Sequence, residues 1–92
     1  MRIYKYVLMH TGMNEVEMPV GANILSVGLD PADMVCIWAI VNPELESKTR
    51  KFYVAGTGWD LQDAVDVTNL DMLTCLGTVR QIPYMWHIFE VV

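Results

Sequence analysis

An apolar stretch near the middle of the chain, Met34 to Val41, reads Met-Val-Cys-Ile-Trp-Ala-Ile-Val. It carries no charge and shows no polar alternation, and it is rich in β-branched and aromatic side chains. A strand that is covered on both faces has this composition, because neither of its surfaces meets water. The pattern predicts a central buried strand whose neighbours are the other periodic segments of the chain.

Three strands are predicted before this stretch, and the first two are at the N-terminal end of the chain. Ile3 to Met9 alternates, with Tyr4, Tyr6 and Leu8 on one face. After a turn at His10, the residues Glu15, Glu17 and Pro19 alternate with Val16, Met18 and Val20. This second pattern is typical of a half-exposed edge strand, and Pro19 suits an edge because proline cannot donate to the ladder of hydrogen bonds.

Ala22 to Leu29 predicts a third strand, with Leu25, Val27 and Leu29 on its more apolar face. Asp30 to Asp33 contains a proline and two aspartates, which favour a tight turn. The third strand and the central strand therefore form a predicted β-hairpin.

Three more segments, Thr49 to Ala55, Met72 to Gln81 and Tyr84 to Val92, have strand patterns. In the first, Phe52 and Val54 lie on one face. The whole pattern predicts a mainly β fold: a small antiparallel meander sheet or barrel-like domain of six to seven strands, with residues 1–92 forming one domain.

The segment that follows Gly58 admits two interpretations. Asp60 could cap a short helix, because Leu61, Ala64 and Val65 fall at helical spacing. One or two helical turns within residues 60–71, or an irregular loop, fit the sequence equally well.

Hydrophobic residues make up 53% of the chain and charged residues 18%, whereas typical domains contain roughly 25% charged residues. One small core cannot absorb so much apolar surface, and soluble monomers rarely expose large apolar patches. The surplus should therefore be covered in a subunit interface or a ligand groove, and we expect a homo-oligomer.

The formal charge of −5 argues against binding to nucleic acid or to an anionic membrane, since both need clustered Lys and Arg. The sequence contains no apolar run long enough to span a bilayer and no signal-peptide pattern, so we expect a cytoplasmic protein. Cys36 and Cys75 are interpreted as small buried hydrophobic residues. No spacing of His and Cys indicates a metal site, and no cofactor is indicated.

The turn Gly56-Thr57-Gly58 is the first candidate for a binding site. Glycines let backbone amides approach an anion closely, but they equally serve a turn that needs a positive φ angle. The lysine that ends a P-loop is missing, and Asp60 would repel phosphate. Both interpretations, a structural turn and a ligand contact, stay open.

Rings, arginines and one histidine supply the other candidates. Trp59 stands in a polar loop beside Asp60 and is the ring that we expect to contact a partner. Arg50 and Arg80 are possible anion partners in a nucleotide pocket, and His87 lies in the last strand on the side of Met85 and Phe89. Since the sequence places no nucleophile or orienting carboxylate beside His87, we expect no enzymatic activity.

Several short motifs, in this order, resemble a group of small phage and prophage proteins of unknown function. The motifs are Tyr4-Lys5-Tyr6, Pro19-Val20-Gly21-Ala22, Ile24-Leu25-Ser26-Val27-Gly28, Trp38-Ala39, Gly56-Thr57-Gly58, Leu76-Gly77-Thr78-Val79 and Trp86-His87-Ile88-Phe89-Glu90. The chain departs from that pattern at Asp30, where a glutamine is frequent, and at Trp59, where a histidine is frequent. The resemblance implies a viral accessory protein made inside a bacterium, and it transfers no catalytic residues.

These observations lead to one expected function and two alternatives. We expect a phage protein that acts by binding and inhibits a component of host antiviral defence through protein contact. The first alternative is an oligomeric sponge that sequesters a nucleotide immune signal. The second alternative is a structural phage protein with no role in defence.

Overall fold

Antiparallel strands account for most of residues 1–61 and 72–91, which are the residues that the computed structural model describes. These residues form seven strands: β1 (Arg2–Val7), β2 (Gly12–Pro19), β3 (Asn23–Leu29), β4 (Val35–Val41), β5 (Ser47–Gly56), β6 (Leu73–Gln81) and β7 (Tyr84–Val91). The mainly β prediction is confirmed. The proposed helix within residues 60–71 lies largely outside the described residues, which include only Asp60 and Leu61 of that segment.

The strands divide into two sheets. One has the order β1-β4-β3 and the other the order β2-β5-β7-β6. Consecutive strands pair in the β3–β4 and β6–β7 hairpins, whereas β1, β2 and β3 alternate between the sheets. The described strands therefore form neither a simple meander nor a closed barrel. Each sheet has an apolar face, and stacking the two faces is what removes both from water.

The core lies between the sheets and includes completely buried side chains of four strands, Met18, Ile37, Phe52 and Ile88. The predicted central strand is β4, which lies between β1 and β3. Its inward residues from Val35 to Val41 are buried. On its other face Cys36 is fully buried, and burial raises the pKa of that thiol.

The predicted alternation holds in β2 and β5. In the edge strand β2, Glu15 and Glu17 are exposed while Met18 is fully buried. In β5, Phe52 and Val54 face the core, whereas Tyr53 joins a small second cluster on the opposite face of the sheet.

Two predictions about burial are wrong. Leu25 does not face the core: a bulge between Ile24 and Ser26 shifts the alternation of β3, so that Ile24 packs inward and Leu25 is 46% exposed. Cys75 is also exposed. Its strand, β6, is an edge strand with a bulge between Cys75 and Gly77.

The β3–β4 turn is organised by one buried carboxylate. Oδ1 of Asp30 accepts hydrogen bonds from the backbone amides of Ala32 and Met34, both at 2.9 Å. Its Oδ2 accepts from Nζ of Lys5 at 2.8 Å. The ammonium of Lys5 and the two amides lower the pKa of Asp30 to about 2. The turn is closed by Asp33, which adopts a φ of 62°, a conformation that aspartate tolerates better than most residues.

None of the described helical segments is long and apolar enough to cross a membrane.

The depressed pKa of Asp30 predicts an acid-sensitive stability. Its folded pKa of about 2 lies below the ordinary value of 3.8. Asp30 therefore contributes stability that is complete above about pH 4 and is lost as the pH falls toward 2. We expect Asp30→Asn to be less stable than the wild type at pH 7 and to lose less stability between pH 5 and pH 2, as measured by urea unfolding at a series of pH values.

Asp33→Asn is the matched control, because it makes the same change of charge in the same turn. This variant should keep the acid-dependent loss of the wild type. Parallel pH profiles for Asp30→Asn and the wild type would contradict the assignment.

Candidate functional site

Several connections of the sandwich meet at one end of the molecule. Because the strands are antiparallel, the β1–β2 and β3–β4 connections, the start of the connection after β5 and the β6–β7 turn all lie at the end where β4 and β7 begin. We call this the loop end. The start of β1, the end of β7 and the β2–β3 and β4–β5 connections lie at the opposite end.

The loop end exposes large apolar side chains that form what we call the apolar patch: Met9, Trp59, Ile82, Tyr84 and Met85. Ile82 is 76% exposed and Trp59 47% exposed. Of this set, sequence reasoning selected only Trp59. For Ile82, Tyr84 and Met85 the sequence offered one indication, the turn at Ile82-Pro83, since a two-residue turn places its flanking apolar side chains at the tip of a hairpin.

Trp86 is the buried ring that supports the exposed rings of the patch. Its indole Nε1 donates to Oε1 of Gln81 at 2.8 Å. The ring of Tyr84 stacks on it at a centroid distance of 5.1 Å, and the ring of Trp59 meets it edge-on at 5.4 Å. Nε2 of Gln81 donates to the carbonyl of Asp33 at 2.7 Å, which ties β6 to the β3–β4 turn. The exposed rings of Trp59 and Tyr84 therefore pack on Trp86 of β7, which is itself bonded to Gln81 of β6.

The Gly56-Thr57-Gly58 turn determines where the side chain of Trp59 lies. Gly58 has a φ of +85°, which favours glycine. A Cβ at Gly56 would lie 2.6 Å from Nε1 of Trp59, so only glycine lets the indole settle there. The amide of Trp59 donates to the carbonyl of Gly56 at 3.0 Å, and the amide of Thr57 donates to that of Met85 at 3.3 Å. These contacts favour the structural interpretation of the motif.

His87 lies on the outer face of the four-stranded sheet, beside the same turn. Its Nε2 is 2.7 Å from the hydroxyl of Thr57, and its Nδ1 is 3.2 Å from the hydroxyl of Thr78. Each ring nitrogen thus faces a hydroxyl, which can donate or accept as the tautomer requires. This arrangement links β6 and β7 to the turn that follows β5 through side chains. It does not place a carboxylate in the orienting position that a general base uses.

A shallow pocket of about 170 Å³ separates His87 from Trp59, and Ala55 and Phe89 contribute to its wall. Sites for small molecules generally enclose about 300–1,000 Å³. The pocket is therefore suited to one inserted side chain, and the surrounding surface to a protein contact. Asp60 lies at the same end, with an exposed side chain.

The two arginines that were candidates for a nucleotide pocket are not brought together. Arg80 is exposed and pairs in register with Met85, near the loop end. Arg50 lies toward the opposite end, where Nε and Nη2 donate to the carboxylate of Glu90 at 2.6 and 2.7 Å. Its Nη1 donates to the carbonyl of Ala22 at 2.6 Å. The bond to Glu90 raises the pKa of Arg50.

An open groove of about 670 Å³ borders Arg50. Lys48 and Lys51 also line it, so three of the six basic residues of the chain meet there. Glu90 belongs to the same wall and offsets the charge of Arg50. In the described ranges, 1–61 and 72–91, no group of three His, Cys, Asp or Glu side chains could hold a metal ion.

Comparison with known proteins gives one match. A family model described as "Domain of unknown function (DUF7352)" matches residues 1–92. No curated protein and no solved structure matches the chain.

The close contact between Gly56 and Trp59 predicts the effect of adding one methyl group. Gly56→Ala should displace the half-exposed Trp59 indole from Trp86, because the new Cβ would overlap it, at a cost of about 0.5–1.5 kcal/mol for the lost ring contact. Tryptophan fluorescence and near-ultraviolet circular dichroism should both change, and urea unfolding should show the loss of stability.

Gly28→Ala is the control, because a Cβ at Gly28 would lie at an ordinary 3.5 Å from the ring of Trp38. It should leave both spectra almost unchanged. If the two alanine variants behave alike, Gly56 is not what positions Trp59.

Proposed function

The chain belongs to the family of domains of unknown function that matches its whole length, and we propose that this domain acts by binding a protein partner through the apolar patch at its loop end. The observation that carries the proposal is the exposure of Trp59 and Tyr84, whose rings contact the buried Trp86, together with the exposure of Ile82 at the same end of the molecule. Exposed apolar side chains that lie together on a soluble protein are typical of an interaction surface.

The chemistry of the patch favours a protein over a small ligand. Trp, Tyr and Met are enriched in protein interfaces, and a few buried rings contribute most of the binding energy there. Because Trp59 and Tyr84 are already held against Trp86, little side-chain entropy is lost when a partner covers them. The net charge of −5 would attract a partner with a basic surface and speed its association.

The biological setting follows from the resemblance to small phage and prophage proteins. In that setting the domain works in the bacterial cytoplasm, and its partner is a component of host antiviral defence that is blocked when its surface is covered. A structural role in the virus particle is the alternative within the same setting. In both cases the function is binding without turnover.

A nucleotide sponge is a second candidate, and one observation favours it. The groove beside Arg50 gathers Lys48, Arg50 and Lys51, and its volume of about 670 Å³ is sufficient for a nucleotide. The bidentate bond from Arg50 to Glu90 weakens this candidate, since that guanidinium already has an anionic partner.

Substitution in the patch should show whether the partner binds there or elsewhere on the exposed apolar surface. Affinity capture from bacterial lysate, quantified by mass spectrometry, should recover a partner with the wild type and lose it about 30-fold or more with Trp59→Ala, the effect of removing a central anchor of about 2 kcal/mol or more. Leu45→Ala is the matched control, because Leu45 is 49% exposed at the opposite end. Equal capture by wild type and Trp59→Ala, or equal loss in both variants, would exclude the patch as the contact surface.

A thermal-shift screen with cyclic nucleotides and ADP-ribose derivatives distinguishes the second candidate. If the domain binds protein through the patch, none of these compounds should raise the melting temperature. A tight sponge would be stabilised by RT ln(1 + [L]/Kd), which is about 2.7 kcal/mol at one hundred times the Kd. If a compound raises the melting temperature by several degrees and the rise disappears in Lys48→Ala, the domain acts by binding a nucleotide in the groove beside Arg50.

A further inference from the structure

The four strands at the edges of the two sheets differ in how they are protected from pairing with another chain. The edge strand β2 carries Glu15, Glu17 and Pro19. The edge strands β3 and β6 each contain a bulge. Charges, prolines and bulges are the usual means of preventing association at a sheet edge. By contrast, β1 pairs with β4 in unbroken register from Arg2 to Val7.

The charge that could protect the middle of β1 is turned away from the edge. Lys5 reaches back over its own sheet, and its Nζ lies 2.8 Å from the carboxylate of Asp30. Ile3 remains 62% exposed and Tyr4 39% exposed. Among residues 1–61 and 72–91, no strand pairs with the outer edge of β1. This edge therefore presents a regular backbone ladder flanked by apolar and aromatic side chains, which is the form that supports strand addition.

We propose that β1 pairs antiparallel with β1 of a second copy of this chain, so that two three-stranded sheets join into one continuous six-stranded sheet. The contact is isologous, with a two-fold axis perpendicular to the sheet. This inference is independent of the loop end, which lies beyond the ends of the paired strands.

The two-fold symmetry restricts the register. It keeps the outer face of one copy beside the outer face of the other, so Ile3, Lys5 and Val7 must lie opposite members of the same set. Centring the pair on Lys5 would place the two Lys5 side chains opposite each other, and because each is directed toward Asp30 of its own copy, the centre of the pair would lack a side-chain contact. Centring it on Tyr4 places Tyr4 opposite its copy and Ile3 opposite the aliphatic part of Lys5, and it pairs more of the strand than centring it on Ile3. We infer the register centred on Tyr4.

The charges of β1 are compatible with this register. Each Arg2 lies opposite a Tyr6, whose ring can accept a guanidinium. The two Arg2 residues are four positions apart along the paired strands, roughly 14 Å at 3.4 Å per residue, which exceeds the Debye length of about 8–10 Å in physiological salt. Because Lys5 is paired with Asp30, the edge of β1 is complementary to itself. We therefore infer that the strand that pairs with it is β1 of a second copy.

Disulfide trapping tests the register directly. Directly opposed residues in an antiparallel pair have Cα atoms about 4.5–5.5 Å apart, within the roughly 4.4–6.8 Å that a disulfide spans. The background is Cys75→Ser, because Cys75 is exposed while Cys36 is buried. Under mild oxidation at tens of micromolar protein, Tyr4→Cys should convert mostly to a covalent dimer, whereas Leu25→Cys, on the far edge strand β3, should form no covalent cross-link.

Light scattering after size exclusion supplies the second measurement. Wild type should have the mass of a dimer, and Ile3→Lys should weaken the dimer about tenfold or more, because it puts a charged side chain in place of the exposed Ile3 at the paired edge. Leu25→Lys and Trp59→Ala should leave the dimer intact. A wild-type monomer, a Tyr4→Cys variant that folds but does not cross-link, or equal cross-linking of Leu25→Cys would overturn the proposal. If Trp59→Ala is a monomer, the two copies associate through the loop end instead.

Discussion

The burial of one sheet face against the other is the constraint on which the rest of the structure depends. Ile37 of the three-stranded sheet belongs to the same buried cluster as Phe52 and Ile88 of the four-stranded sheet. Each of these side chains is completely buried, so each contributes on the order of 1.5–3 kcal/mol by leaving water. Neither sheet could keep its apolar face dry alone, and the crossings of the chain between the sheets follow from that need.

Polar interactions organise the parts of the sandwich that its apolar core does not fill. Arg50, Glu90 and the carbonyl of Ala22 form a linked group that joins β5 and β7 to the β2–β3 connection. Asp30 satisfies the amides of its own turn and draws Lys5 over the three-stranded sheet. Both groups consist of paired charges, because an unpaired charge beside the core would be costly.

Trp86 connects the stability of the fold to the proposed binding surface. It is part of the buried cluster between the sheets, and it also supports the half-exposed rings of Trp59 and Tyr84. The same side chain therefore anchors the core and presents the patch in a defined geometry. The two proposed contacts use different parts of the molecule: the loop end for a protein partner and the free edge of β1 for a second copy. A dimer formed at that edge would carry two apolar patches.

The sequence by itself determined the strands, the β3–β4 hairpin and the exposed edge strand β2. These features depend on alternation with a period of two and on local turn chemistry, both of which can be seen within a few residues. The tertiary structure alone decided how the strands divide between two sheets. It decided that Ile24, and not Leu25, faces inward at the bulge in β3. It likewise decided that Arg50 binds Glu90, forty positions away. It also decided that Gly56 makes room for Trp59. Each of these outcomes depends on which distant segment a residue meets, and that is settled when the two apolar faces stack, not by the residue's own neighbours in the chain.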